Sequence, residues 1–296
     1  MDELKGKKVL VTGGNGFVGT HLVKRLRMLQ AEVYAVDKSS SDEKVDALDI
    51  ADHEKARDYL DRVKPNYILH LAAMMSKADN DRDTVIRVNY DATKNILDSY
   101  GSYDKFVYVS TSEFYYGNVP PFREDMKANP TTPYSESKLL CENYCNGLIA
   151  QGKPIVIVRP PIVYGPGQGL GMFIPTLVMT CLSNEEFRMT KGEQTRDFLF
   201  VDDLVDLLVQ ALTTEAVNGE TINAATGRPV PLVDVVNEVR RLTQSKSNIQ
   251  LGAIPYRDNE AMEYYHDISK ARRLLNWSPR FSLEDGLKLT VESYKA

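Results

Sequence analysis

The N-terminal half of the chain alternates short, nearly continuous apolar runs with longer segments whose apolar residues recur at helical spacing. The runs predict strands and the longer segments predict helices. The predicted strands are Lys8–Thr12, Glu32–Val36, Tyr67–Leu71, Lys105–Ser110 and Ile155–Val158, and the predicted helices are Gly19–Gln30, His53–Arg62, Thr84–Ser99 and Ser135–Ala150. Strands separated by helices of this length predict an α/β fold with a doubly wound parallel sheet, covered by helices on both faces.

The pattern changes after Arg159. The stretch RPPIVYGPGQGLG at 159–171 is rich in proline and glycine and predicts an ordered loop. A strand and helix at Phe198–Leu212, a strand at Thr221–Ala225 and three short helices follow, the helices being Leu232–Thr243, Ser269–Asn276 and Leu283–Ser293. This pattern predicts a smaller lobe interleaved with the sheet. We expect residues 1–165 with about 196–226 to form the sheet domain, and about 166–195 with 227–296 to form the lobe.

Composition narrows the function classes. The 296 residues are 43% hydrophobic and 26% charged, with a net charge of −5, so neither disorder nor nucleic-acid binding is favoured. No signal peptide is recognised, and no apolar run reaches the roughly 18 residues of a membrane span. The sparse, odd set of Cys141, Cys145 and Cys181 indicates a reducing compartment and no metal site. We expect a cytoplasmic protein that acts on a small molecule.

The most specific local motif is VTGGNGFVG at 11–19, which follows the first predicted strand and opens the first predicted helix. In that context Gly13, Gly16 and Gly19 permit a tight turn, a close approach of the backbone to a pyrophosphate, and close packing of helix on strand. The N-terminus of the helix offers free N–H groups to the phosphates. The motif therefore predicts a dinucleotide site.

Acidic residues that follow the second strand refine the choice of dinucleotide. Asp37 lies at the strand end, where a carboxylate accepts hydrogen bonds from both ribose hydroxyls and repels a 2′-phosphate. This favours NAD, although the neighbouring Lys38 leaves NADP open. Asp49 and Ile50 follow a short connection and could place a carboxylate near the adenine amino group.

A second motif, YSESK at 134–138, puts a phenol and an ammonium on one face of a predicted helix. Tyr134 has an ordinary pKa near 10 and is a poor base at neutral pH, but a nearby Lys138 cation favours the phenolate. The positive nicotinamide of bound NAD would add to this effect. Ser110–Glu113 follows an apolar strand upstream, and the carboxyl end of a parallel strand belongs to the ligand-binding edge of the sheet.

Together these motifs resemble the extended short-chain dehydrogenase/reductase family, in its NAD-dependent nucleotide-sugar epimerase/dehydratase branch. The resemblance covers nearly the whole length. It is carried by TGGNGFVG (12–19), LHLAA (69–73), STSEFYYG (110–117), YSESK (134–138), RPPIVYGPG (159–167), TRDFLFVDD (195–203) and RRLLNWSPRFSLEDGL (272–287). It implies a Rossmann-type sheet that carries NAD, a C-terminal lobe that closes over a nucleotide sugar, and a homodimer formed by the helices at Thr84–Ser99 and Ser135–Ala150.

The resemblance assigns roles to individual residues. Tyr134 and Lys138 take the positions of the family's catalytic tyrosine and lysine, and Ser112 or Thr111 takes that of the hydroxyl that contacts the reacting sugar oxygen. Counting back from Gly117 selects Ser112, which we favour, whereas counting forward from the strand selects Thr111. The diphosphate arginines fall on Arg196 and Arg257. The cofactor residues fall on Gly13, Asn15, Gly16, Phe17, Val18, Gly19, Asp37, Asp49, Ile50, Leu71, Ala72, Ala73, Asn89, Tyr134 and Lys138.

The resemblance leaves the reaction open. Branch members oxidise the sugar at C4, and the 4-keto intermediate is then epimerised, dehydrated or decarboxylated. We favour a UDP-hexose-type 4-epimerase, because STSEFYYG has the length of the epimerase motif. The Ser112–Glu113 pair keeps a decarboxylase or a 4,6-dehydratase open, with Glu113 as a further catalytic residue, and a 4-ketoreductase is a third alternative. The remaining class is a non-catalytic Rossmann protein that senses NAD, which would not need the Tyr–Lys pair.

Overall fold

The computed structural model describes residues 2–40, 42–75 and 81–295. The strands within them are β1 Lys8–Thr12, β2 Glu32–Asp37, β3 Asp46–Ala47, β4 Tyr67–His70, β5 Lys105–Val109, β6 Ile155–Arg159, β7 Ile162–Tyr164, β8 Phe187–Met189, β9 Thr195–Arg196, β10 Phe198–Phe200, β11 Thr221–Asn223, β12 Val230–Pro231 and β13 Ile249–Leu251. The α-helices are α1 Phe17–Met28, α2 His53–Val63, α3 Arg82–Ser99, α4 Pro133–Ile149, α5 Phe173–Ser183, α6 Val201–Thr213, α7 Leu232–Thr243, α8 Ser269–Leu275 and α9 Leu283–Lys295.

Seven of these strands form one parallel sheet in the order β11-β6-β5-β4-β1-β2-β3. The chain runs from β1 outward to β2 and β3 and then returns to place β4 on the other side of β1. The connections after β1 and β4 therefore diverge and leave a crevice at the carboxyl ends of these strands. In doubly wound sheets ligands bind at such a switch point.

The sheet is buried on both faces, as its continuous apolar strands predict. On β1, Val9 and Val11 join one hydrophobic cluster, which includes Leu22 of α1 and Leu204 of α6. Leu10 points to the opposite face and joins a cluster formed with helices α2, α3 and α4. The predicted α/β fold with a doubly wound parallel sheet is confirmed.

The second half of the chain supplies a smaller set of elements beside the carboxyl edge of the sheet. Strand β7 pairs with β10, β8 with β13, and β9 with β12, while α5 and α9 pack on α7. The first hydrophobic cluster continues into these elements through Leu177, Val235 and Leu287. Two further segments face the crevice, namely residues 160–163 after β6 and the loop at 257–264.

The structure corrects the sequence reading in the second half. The loop expected at 159–171 contains strand β7, and the unpredicted helix α5 follows it. Strand β7 forms by pairing with the distant β10, which no local pattern records. Helix α5 contains Pro175 in its first turn, where a missing N–H is tolerated, and it is apolar on nearly every side. Both features hide a helix from periodicity analysis.

Candidate active site

A cavity of ≈ 1320 Å³ follows the carboxyl edge of the sheet across the switch point. All but one of the candidate residues from the sequence line it. Those on the sheet side are Gly13, Gly16, Phe17, Val18, Gly19, Asp37, Asp49, Ile50, Leu71, Ala72, Ala73 and Asn89, and those toward the lobe are Thr111, Ser112, Glu113, Tyr134, Lys138, Arg196 and Arg257. The exception, Asn15, binds the segment after β2 instead, through its amide and the carbonyl oxygen of Ser39 at 3.0 Å.

The glycine loop between β1 and α1 has no room for side chains. Gly13 has φ +75°, and a Cβ there would lie 2.9 Å from the backbone nitrogen of Ala72. A Cβ on Gly19 would overlap the carbonyl oxygen of Gly13. The bare backbone and the open N-terminus of α1 form a cradle of the kind that holds a pyrophosphate. The loop therefore fits a dinucleotide.

Asp37 and its neighbours form the wall at the end of β2. The carboxylate of Asp37 accepts hydrogen bonds from the backbone N–H groups of Asn15, at 3.1 Å, and Lys38, at 2.8 Å. The ammonium of Lys38 lies 3.1 Å from the carboxylate of Asp49. Because Asp49 pairs with this cation and Asp37 faces the cavity, the wall suits a ribose diol better than an additional phosphate.

Asn89 of α3 acts on the loop after β4. Its side-chain oxygen accepts from the N–H of Met74 at 2.6 Å, and its amide nitrogen donates to the carbonyl of Met74 and to the hydroxyl of Ser137. Both N–H groups of the amide are therefore used within the protein. Asn89, which the sequence assigned to the cofactor, positions the backbone that lines the cavity.

Helix α4 places Tyr134 and Lys138 on the cavity side. The Lys138 ammonium is buried, donates to the carbonyl of Val109 at 2.7 Å, and lies 5.8 Å from the centre of the Tyr134 ring. Burial lowers the pKa of Lys138 to about 8. Burial, followed by the nearby charge of Glu113, raises the pKa of Tyr134. The protein alone therefore does not lower the pKa of Tyr134, so the expected phenolate needs the positive nicotinamide as well as the Lys138 cation.

Residues 110–113 turn away from the end of β5 toward Tyr134. The hydroxyl oxygen of Thr111 accepts from the N–H of Glu113 at 3.1 Å, which closes a tight local turn. The buried Ser112 donates its backbone N–H to the carbonyl of Pro160, and its hydroxyl contacts the hydroxyl of Tyr264. Thr111 and Ser112 both line the cavity.

Glu113 is tied to the start of α4. Its carboxylate accepts a hydrogen bond from the Thr132 hydroxyl at 2.5 Å. Thr132 is the N-cap of α4 and forms a capping box with Ser135, and Pro133 occupies the first turn. A carboxylate is stabilised beside a helix N-terminus. Glu113 is thus held close to Tyr134 at the cavity wall.

The far end of the cavity carries the two candidate phosphate-binding arginines. Arg196 forms an ion pair with Glu260, and its second terminal nitrogen donates to the carbonyl of Ala261 at 2.7 Å. Arg257 is exposed at the cavity mouth. A second link to the lobe is made by Tyr264, whose hydroxyl donates to the carbonyl of Ser112. The loop at 257–264 therefore contacts both Arg196 and the turn at 110–113.

A family model for the NAD-dependent epimerase/dehydratase family matches residues 9–225. This match spans the sheet, the glycine loop and the Tyr–Lys helix. The chain belongs to this family. Its cofactor is NAD, and the cradle and the Asp37 wall fit that group.

The proteins that this chain resembles carry out more than one reaction. A curated UDP-N-acetyl-alpha-D-glucosaminuronate decarboxylase from Bacillus cytotoxicus is 29% identical, over 98% of each chain. A UDP-glucose 4-epimerase from Thermotoga maritima, solved with UDP-glucose, has a TM-score of 0.90 at 28% identity and covers 97% of this chain and 98% of its own. MoeE5, solved with UDP-glucose and NAD, has a TM-score of 0.87 at 28% identity, with coverages of 97% and 98%. The chain is an enzyme of the nucleotide-sugar epimerase, dehydratase and decarboxylase family.

Several residues that line the cavity were not predicted from the sequence. Thr132 was recognisable, because Thr132, Pro133 and Ser135 form a helix-start signal. No sequence pattern marks Glu260, because its role depends on its ion pair with Arg196. Tyr264 lay in a tyrosine-rich stretch without a distinguishing pattern. The last two reach the cavity only through the folding of the lobe.

Two absences hold within the described residues. Within residues 2–40, 42–75 and 81–295, no helix is long and apolar enough to cross a membrane. The same ranges contain no group of three histidine, cysteine or acidic side chains that could hold a metal ion. Cys141, Cys145 and Cys181 are buried free thiols.

Proposed function

We propose that this enzyme is a nucleotide-sugar 4-epimerase of the UDP-hexose type, with NAD as a tightly held, recycled cofactor. The observation that supports this most is that Tyr134, Lys138 and Ser112 line the same cavity. A sugar 4-epimerase needs a proton acceptor that also returns the proton, and one tyrosine can do both.

The residues act in a fixed order. Tyr134, as the phenolate, removes the proton from the sugar 4-hydroxyl, and the Ser112 hydroxyl donates a hydrogen bond to the same oxygen. When bound, NAD would supply the hydride acceptor and donor that this chemistry needs at C4, and the 4-keto sugar would turn its other face between the two transfers. Tyr134 then gives its proton back to the oxygen. Product and substrate are isomers, so no atom is gained or lost.

Charge in the site supports the same assignment. Lys138 keeps most of its charge at neutral pH, since burial lowers its pKa only to about 8. This cation stabilises the Tyr134 phenolate, which burial and Glu113 disfavour. We therefore expect turnover to rise with pH as Tyr134 ionises and to fall again as Lys138 loses its proton.

The lobe end of the cavity suits the nucleotide diphosphate. Guanidinium groups bind phosphate through paired N–H donors. Arg196 and Arg257 are cations on two different segments at that end, and Arg196 is already oriented by Glu260. We propose that both bind the diphosphate of the substrate.

A second candidate is decarboxylation of a nucleotide-linked hexuronate, and Glu113 favours it. Oxidation at C4 makes such a substrate a β-keto acid, which loses carbon dioxide and must then gain a proton at C5. Glu113 is a fixed acidic group beside Tyr134 that could deliver this proton through water. A 4,6-dehydratase is less favoured, because Ser112 stands where that reaction uses an aspartate next to the glutamate.

The deciding experiment incubates the purified enzyme, without added cofactor, with UDP-hexoses and UDP-hexuronates and identifies the products by mass spectrometry and NMR. A product of unchanged mass with inverted C4 supports the epimerase. Loss of carbon dioxide from a hexuronate would replace it with the decarboxylase. Tyr134→Phe should lower turnover by a factor of at least about 10² while NAD content is retained. Full turnover in that variant would contradict the mechanism.

We also propose that the enzyme is a cytoplasmic homodimer joined through α3 and α4. These helices pack on each other and carry the partly exposed Tyr90, Leu140 and Tyr144 on their surface. Light scattering of the purified protein should give twice the chain mass, and a monomer at all concentrations would contradict the proposal.

A further inference from the structure

The ring of Tyr108, on β5, lies next to the ammonium of Lys138. Nζ of Lys138 is 4.8 Å from the centre of this ring, within the range of a cation–π interaction. Both side chains are buried, at 1% and 2% exposure. An ammonium has three N–H donors, and the carbonyl of Val109 is the hydrogen-bond acceptor that the described residues offer to Lys138. The aromatic face therefore attracts the Lys138 ammonium in addition to the hydrogen bond to Val109.

The hydroxyl of Tyr108 does not explain why this residue is present. It is buried, and its polar neighbour among the described residues is the thiol of Cys141, which is a weak hydrogen-bond partner. The neighbouring ring is His70, at 5.9 Å between ring centres and 25° between ring planes. Burial, and then the charge of Lys138, lower the pKa of His70 to about 3, so His70 is neutral at pH 7. Lys138 is therefore the cation that the Tyr108 ring meets.

We propose that Tyr108 is a positioning residue of the catalytic pair, whose aromatic face holds the Lys138 ammonium in place and in its charged form behind Tyr134. The proposal rests on the proposed roles of Tyr134 and Lys138. The contact is local in space but comes from two elements, since β5 supplies the ring and α4 supplies the ammonium.

The other ionisable groups around Lys138 do not replace this ring. Those that face it are Tyr134, Cys141, Glu142 and Cys145 on α4, and His70 on β4. The carboxylate of Glu142 is 2.6 Å from Arg159 and is neutralised by it. Burial raises the pKa of both thiols, so they are uncharged at neutral pH. A cation in this setting depends on neutral attractors, namely a carbonyl and a ring.

The test varies the ring without changing its size. Tyr108 is replaced by phenylalanine and by phenylalanines with increasing ring fluorination, which weakens the negative face. Tyr108→Phe should behave like the original enzyme. With fluorination, the falling limb of the kcat–pH profile should move stepwise to lower pH, by about one unit in total, because the Lys138 pKa falls. NMR of ¹³C-labelled lysine should show the same movement of the Lys138 titration.

The test has a matched control and a result that would contradict the proposal. The same fluorinated series at Tyr103, a buried tyrosine of the same hydrophobic cluster, should leave both readouts unchanged. If the pH limb and the lysine titration stay constant across the Tyr108 series, Tyr108 only fills space and the proposal is overturned. If Tyr134→Phe or Lys138→Met retains turnover, the proposed catalytic roles fail instead, and the NMR titration still reports on the ring contact.

Discussion

At the scale of single residues, Gly19 shows how tightly the cofactor cradle is built. We predict that Gly19→Ala destabilises the enzyme by about 1–3 kcal/mol, because its Cβ overlaps the carbonyl oxygen of Gly13 and must displace α1. The same displacement should weaken NAD binding at least tenfold. Calorimetric NAD titration and chemical denaturation measure the two effects.

Gly147 provides the matched control for that prediction. It lies exposed within α4, and a Cβ there would meet nothing within 4 Å. Gly147→Ala should therefore stabilise the enzyme by about 0.5–1 kcal/mol and leave NAD affinity unchanged. If Gly19→Ala binds NAD as well as Gly147→Ala does, the pyrophosphate cradle is assigned to the wrong loop.

Single residues also show where sequence reasoning stops. The motif at 11–19 and the pair Tyr134–Lys138 were predictable, because each needs only local spacing on one element. The structural role of Asn89 was not predictable, because its side-chain amide forms hydrogen bonds with Met74 and Ser137, which lie in other parts of the chain. The raised pKa of Tyr134 was not either, because its causes are burial and the charge of Glu113, which helix spacing does not show.

At the scale of elements, the start of α4 joins stability to catalysis. Thr132 caps the helix and donates to Glu113, and Tyr134 lies two residues further on. We predict that Thr132→Ala lowers the free energy of unfolding by about 1 kcal/mol and turnover by tenfold or more, because the cap positions both Tyr134 and Glu113. Chemical denaturation and steady-state kinetics measure these losses.

The N-cap of α2 is the control for this element. Asp52 accepts from the N–H of Lys55 and lies outside the cavity lining. Asp52→Ala should cost a similar free energy of unfolding without changing kcat. Equal turnover in the two variants would mean that the α4 cap acts on stability alone.

Elements differ in how far local sequence determines them. The strands of the main sheet were predictable, because burial on both faces makes them continuous apolar runs with helices between them. The strand at Ile162–Tyr164 was missed, since it depends on pairing with Phe198–Phe200 far along the chain. Helix Phe173–Ser183 was missed because it has no polar face to mark its period.

At the scale of the whole molecule, we propose that Asp197 is one of the buried carboxylates that join the lobe to the sheet domain. Asp197 is 1% exposed and accepts from the backbone N–H and hydroxyl of Thr226, from the N–H of Gly227, and from the N–H and Nδ1 of His266. The division of the chain into a sheet domain and a lobe is our proposal. In it, Asp197 lies in a sheet-domain segment and receives three of its contacts from the lobe.

This arrangement predicts that Asp197→Asn weakens the binding of the nucleotide sugar but not the binding of NAD. An asparagine places N–H donors against the donors of Thr226, Gly227 and His266, so we expect a loss of about 3–5 kcal/mol in the free energy of unfolding. Nucleotide-sugar binding should weaken at least tenfold, because Arg196 precedes Asp197 and the loop at 257–264 leads to His266. NAD binding should be retained, since the cradle lies at the far side of the switch point. Exposed Asp285→Asn is the control, and calorimetric titration with each ligand is the measurement. Parallel losses of both affinities would mean that Asp197 supports the whole fold and not the closure of the lobe.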